Sequence, residues 1–212
     1  MALVINVKIA VAVLILPNIA MDSVQLVRRG GALETARRLW AVILFGIAGT
    51  VIGTWLLVLL SARAITLILG VFVLLFVVLN ATRFSVRIPA AWERWLSAPV
   101  GLLAGVVGGV TNTPGTPLVI YFYALGMEKY EFVRSVALSF VIYKVAQFAT
   151  LTYYGIVTIA LLPATLGLTV VGFAGFWLGL KVQDRLDQAM FNRAVLIFLA
   201  ALGIWLSFRA VS

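Results

Sequence analysis

The sequence predicts an all-α polytopic membrane protein: about six transmembrane helices plus a broken, glycine-rich re-entrant hairpin, organised as an inverted internal repeat. Three observations predict it. Only 11% of the 212 residues are charged while 64% are hydrophobic, a balance that cannot clothe a soluble domain. The apolar stretch 97–127 is interrupted at Gly108-Gly109-Val110-Thr111-Asn112-Thr113-Pro114-Gly115-Thr116-Pro117, where glycines and prolines oppose continuous helix. Finally, Gly46, Gly49 and Gly53 recur as Gly172, Gly175 and Gly179, offset by 126 residues.

Composition also excludes. The chain has no Cys and no His, which removes disulfides, thiolate metal sites, a cysteine nucleophile and the commonest general base. No catalytic set, metal site or cofactor is predicted. The net charge of +9 needs no nucleic acid, because the basic residues fall mostly in loops, as membrane topology requires. Residues 1–21 do not read as a signal peptide, since Lys8 interrupts the apolar run and no clear small-residue cleavage site follows.

In order, segment A covers about 4–21 and carries Lys8, Pro17 and Asn18. A basic loop holds Arg28, Arg29, Arg37 and Arg38. Segment B covers 39–61, with its three glycines, and Arg63 marks a short turn. Segment C, 64–81, is an almost pure Leu/Val/Ile/Phe run. The loop 82–96 carries Arg83, Arg87 and Arg94, with Trp92 and Trp95 as interfacial anchors. The broken segment D is 97–127. The loop 128–134 holds Glu128, Lys129, Glu131 and Arg134. Segments E (135–154), F (156–182) and G (190–208) complete the chain.

Segment D divides into apolar arms at about 98–110 and 118–126, each shorter than the ~20 residues a span needs. Polar, broken backbone at membrane depth survives only where protein or a water-filled cavity surrounds it, and in transporters such breaks form substrate sites. Thr116 fits an N-cap and Pro117 a first helical position, which aims the N–H groups of Leu118 and Val119 into the break, a ready anion site. Thr111, Asn112, Thr113 and Thr116 add side-chain donors there, and Gly115 allows close approach. The competing reading is a kinked helix whose glycines serve packing.

Lys144 and Gln147 lie near the middle of segment E on one helical face. A charge at that depth costs at least ~2.5 kcal/mol, which a bound anion would offset. Tyr121 and Tyr143 offer hydroxyl donors. Asn18 is the repeat mate of Lys144. The alternative for Lys144 is a lysine in a water-filled cavity, tied to backbone carbonyls.

The offset pairs A with E, B with F and C with G, which divides the chain into a first repeat, 1–96, and a second, 97–212. It places the partner of segment D before residue 1, so the first repeat is expected to lack its first element. A hairpin reading of D puts Arg28, Arg29, Arg37, Arg38, Arg83, Arg87, Arg94, Lys129, Arg134, Lys181, Arg185 and Arg193 on one side. Only Arg63 and Arg209 remain in the loops of the other. The positive-inside rule makes the first side cytoplasmic, and opposed charge in equivalent loops marks an inverted repeat.

The run Gly101-x-x-x-Gly105-x-x-Gly108-Gly109 through Pro114-Gly115-Thr116-Pro117, followed by Tyr121, Gly126 and Arg134, resembles the second glycine-rich signature of the sulfite exporter TauE/SafE family. Here the turn reads Gly115-Thr116-Pro117 where that signature usually has a Gly-Gly-Pro-like turn. The family's similar element near the N-terminus is missing. The resemblance implies a membrane exporter of sulfite, sulfonates or related organic anions, in a bacterial cytoplasmic membrane. The partners implied are the lipid bilayer and a small anionic substrate, and a homo-oligomer is allowed. A passive anion channel and a non-transporting assembly partner are the alternatives. An intramembrane enzyme fits poorly: Ser139 and Lys144, at i and i+5, face different ways.

Overall fold

The computed structural model describes residues 7–28, 30–61, 63–65, 87–112, 115–185, 187 and 190. Among them every regular element is helical: α1 (Val7–Val27), α2 (Ala32–Arg38), α3 (Trp40–Leu59), α4 (Ala90–Thr111), α5 (Gly115–Ala124), α6 (Lys129–Tyr153) and α7 (Leu162–Arg185), with a 3-10 turn at Ile159–Leu161 before α7. Five helices are long and apolar enough to cross a membrane: Lys8–Val27, Trp40–Leu59, Ala91–Thr111, Tyr130–Tyr153 and Ile159–Val182. Segments A, B, E and F thus appear near their expected places. Segment G and nearly all of C lie outside the described residues.

Segment D departs from expectation. Its first arm begins at Ala90 rather than near residue 98, and is long enough to span. Gly108, Gly109, Val110 and Thr111 are helical, so the helix runs four residues into the expected break. The reason is tertiary packing. α4 lies against α3 with glycines interleaved: a side chain at Gly49 would strike Leu102 O, at Gly53 Val106 O, at Gly101 Val42 O and at Gly105 Gly46 O. At Gly109 an added Cβ would sit 2.6 Å from Thr50 O and 2.7 Å from Thr54 N. A helical glycine costs about 1 kcal/mol against alanine, and a contact surface of this closeness outweighs it.

α1 runs through Pro17 to Val27, six residues beyond its expected end, which carries Asp22 into the candidate span. It packs along α6 and α7, while α6 packs also on α3. The core has two parts. One gathers Val11, Ala12, Ile15, Leu57, Ile65, Val110 and Leu151; the other gathers Leu39, Val42, Ala104, Leu118, Tyr121, Phe122 and Tyr143.

α5 turns back along α4. The Ile88 N–H donates to Ala124 O at 2.9 Å, so the two ends of the broken segment meet. Charged contacts gather at the same end. Arg38 on α2 grips Glu93 with Nε and Nη2 (2.9 and 3.1 Å) and also pairs with Glu131. The Glu93 hydrogen bond chiefly holds Arg38 above its ordinary pKa. Arg134 donates to Thr35 Oγ1 (2.7 Å) and Gly30 O (3.1 Å).

Candidate functional site

The break is built by the end of α4. Asn112 closes that helix in the left-handed conformation (φ 61°), with its N–H on Gly108 O at 2.7 Å. Asparagine is among the few non-glycine residues that tolerate this geometry at a helix end. The carbonyls of the last turn then need partners, and α6 supplies them. Gln147 Nε2 donates to Gly109 O (3.0 Å) and Gly108 O (3.3 Å). Lys144 donates its ammonium to Asn112 O and Asn112 Oδ1. A cation at a helix C-terminus meets the negative end of the dipole. Lys144 is 3% exposed and Gln147 2%.

The structure therefore brings Asn112, Lys144 and Gln147 together. Lys144 is tied to the carbonyl end of α4, as the backbone-carbonyl part of the alternative reading expects. Its ammonium has three N–H donors, and two oxygens of a single residue are its hydrogen-bond partners among the described residues.

The other candidates fall differently. Thr111 donates its hydroxyl to Val107 O (2.7 Å), within its own helix. Thr113 and Pro114 lie outside the described residues. α5 begins at Gly115, so Thr116 sits within the first turn and is not the N-cap, and Pro117 is not the first helical position. The strongest helix-start signal in the sequence is thus late, since Gly115 is already helical. Tyr121 is 2% exposed and far along α5 from the break. Its hydroxyl donates to Glu93 O (2.8 Å) and lies 2.9 Å from Ser97 Oγ, which fastens the closed end of the α4–α5 pair. Asn18 is half-buried on α1, one turn from Asp22.

Two side chains near the break escaped sequence reasoning. Thr50 and Thr54 on α3 are buried, and their hydroxyls have no partner among the described residues. Both flank Gly109, the glycine just before the break. Nothing in an apolar helix distinguishes such threonines from packing residues. Asp22, just past the expected end of segment A, falls inside α1 and is half-buried. Its signal was present, an acid continuous with an apolar helix. Tyr143, expected as a possible donor, spends its hydroxyl on Val42 O at 2.7 Å.

Lys144 thus lies buried at the end of α4, among helices long and apolar enough to cross a membrane. A family model for the sulfite exporter TauE/SafE family matches residues 1–206, and the chain belongs to that family. Its members are transporters and not enzymes. The chain is accordingly an integral membrane protein that works on a small substrate in a lipid bilayer. No curated protein and no solved structure gives a significant match.

Proposed function

We propose that this protein exports small anions, sulfite and sulfonates among them, across a bacterial cytoplasmic membrane, and that it binds them at the break between α4 and α5. The observation that carries the reading is Lys144: a lysine almost wholly buried at the end of α4, with its amino group on Asn112. The anion takes the remaining ammonium donor, the N-terminal N–H groups of α5 and the hydroxyls of Thr54 and Thr116. Gln147 and Asn112 hold the geometry, Gly115 admits the ligand, and Thr113 and Asn18 complete the polar lining. Tyr121 acts at a distance, by fixing α5 against α4.

Residues 90–124 enter from the cytoplasm as a re-entrant hairpin, with 1–96 and 97–212 as inverted repeats making six spans. The junction of Ile88 with Ala124 supports a common side for both ends. Trp95, 80% exposed, and Trp92, Glu93 and Arg94 make the first turns of α4 interfacial. The apolar remainder, from Ser97 to Thr111, extends only about 22 Å at the helical rise, short of a hydrocarbon core of roughly 30 Å. Cysteines at Arg87 and Glu128, both exposed, label from one face of the membrane in this reading. Labelling from opposite faces excludes the hairpin.

The decisive experiment is binding. Lys144→Gln weakens a sulfite or sulfonate by about 2 kcal/mol, the loss expected when one partner of a desolvated charge pair is removed. Lys144→Arg recovers part of it, since charge returns without the same geometry. Calorimetry on purified, equally folded proteins measures both. Unchanged affinity in Lys144→Gln moves the site elsewhere.

A further inference from the structure

Asp22 adds a second charge to the site, and it lies on a different helix. Arg134 reaches Gly30 O and Thr35, so the C-terminal end of α1 and the start of α6 share a level. One core cluster joins Ile15 on α1 with Leu151 on α6, and Ile19 and Phe148 pack against it, so the next turns toward that shared level carry Asp22 and Lys144. α1 and α6 pack along each other, so the two charges sit at like depth on touching helices. Asp22 is half-buried. Among the described groups, Lys144 is the charge acting on Asp22, and Asp22 is the charge acting on Lys144.

The surroundings offer no other described counter-charge. α3 has no titratable residue. α4 contributes the neutral Asn112. On α6, Tyr143 is turned to Val42 O. On α7, Lys181 opens on a hollow with Arg28, Trp177 and Leu180, beyond the end of α1. Lys8, toward the other end of α1, is bonded to Val58 O.

This arrangement restricts which loaded states are cheap. An unpaired charge in a low-dielectric site costs several kcal/mol, so a carrier that rearranges does so most readily when its centre is neutral. The empty site is neutral as Lys144 ammonium with Asp22 carboxylate. Adding a monovalent anion leaves one negative charge too many. One proton on Asp22 removes it.

We propose that Asp22 is the proton site of the transporter: its carboxylate neutralises Lys144 in the empty carrier, and it takes one proton from the same aqueous side as the anion when the anion replaces it beside Lys144. On release the anion leaves, the proton returns to water on the far side, and the Asp22–Lys144 pair re-forms. Transport is then electroneutral anion–proton cotransport, and the summed gradients of the two set its direction. This rests on the anion-binding reading of Lys144 given above.

Proteoliposomes of the full chain test it with methanesulfonate, whose own charge does not change over the working pH range. In wild type, labelled methanesulfonate and protons enter together, one for one, independent of a clamped membrane potential. Affinity rises about tenfold per pH unit of acidification while Asp22 is ionised, the slope of a single linked proton. Asp22→Asn resembles the protonated, loaded form: counterflow of labelled against unlabelled anion persists, net uptake collapses and the pH slope disappears. Asp22→Glu restores proton-coupled uptake. Wild type moving methanesulfonate without protons overturns the proposal, as does proton coupling retained in Asp22→Asn. If Asp22→Asn does not fold, the wild-type stoichiometry decides alone. Absence of any methanesulfonate binding or flux in wild type overturns the transport reading itself, and the coupling with it.

Discussion

Gly46, Gly49 and Gly53 on α3 and Gly172, Gly175 and Gly179 on α7 have identical spacing and opposite fates. The first set lies against the backbone of α4 and the ring of Tyr143. In the second, among the described residues, only Gly172 has a neighbour, the end of the Met21 side chain at 3.6 Å. The difference lies in the partner. α4 brings its own glycines, Gly101, Gly105 and Gly109, in register with those of α3, so each helix seats its glycines against carbonyls of the other. Large side chains surround the stripe of α7, with Trp177 and Leu178 exposed. A small-residue spacing permits close approach; a matching stripe on the facing helix makes it happen.

Substitutions can break this contrast. The largest effect is expected from Gly105→Leu. Its Cβ would collide with Gly46 O and lie 2.7 Å from Thr50 N, and neither backbone can yield without separating the helices. A loss above ~3 kcal/mol is expected, the upper end for overpacking, seen as failure to give monodisperse protein or as a large fall in unfolding temperature. A mild effect would mean that α3 and α4 are not so closely held.

Gly46→Ala comes next. The added methyl overlaps the Tyr143 ring, which must swing away and release Val42 O. About 2 kcal/mol is expected, a hydrogen bond together with displaced packing. Here the obstacle is a side chain, so Tyr143→Leu in the same protein should relieve part of the loss. Strict additivity in the double-mutant cycle would exclude the contact.

Smallest are Gly172→Ala and Gly175→Ala. The first meets Met21 at ordinary contact distance, and the second meets nothing described. Both are expected to be neutral or to stabilise by up to ~1 kcal/mol, the helix-propensity gain of alanine over glycine. A marked loss of stability at Gly175 would show that its face is covered in the working protein, and the contrast with α3 would end.

Much of this architecture is legible in the sequence, and the exceptions have physical causes. Lys144 is readable because a cation in an apolar run has few acceptable explanations. Helices α3, α6 and α7 are readable because long apolar runs dominate local preference. The start of α4 is hidden because Trp92, Glu93, Arg94 and Trp95 look like a loop, although interfacial helix carries the same residues. The helical state of Gly108 to Thr111 is hidden because propensity is local while the compensating surface belongs to α3, far away in the chain. The placement of Tyr121 is hidden for the same reason: a hydroxyl has no periodic signature, and its acceptor is Glu93 O on another helix. Asp22 is legible only when α1 is carried past its most apolar stretch to Val27.

The bond between Ile88 and Ala124 has a consequence for how the chain is made. Synthesis proceeds from the N-terminus, so α3 is complete and in place before α4 emerges. It waits in lipid with its glycine stripe bare, tolerable because every backbone bond of a helix is internal. α4 can then dock as it appears, but its far end carries an open turn that lipid will not solvate, and α6, which supplies Lys144 and Gln147 to that turn, is still unmade. Closing Ile88 onto Ala124 joins the two ends of the α4–α5 pair with α5 packed against α4. The pair can therefore be held as one unit until α6 arrives. A pair fastened at its ends in this way suits a chain whose later helix supplies the partners of the turn.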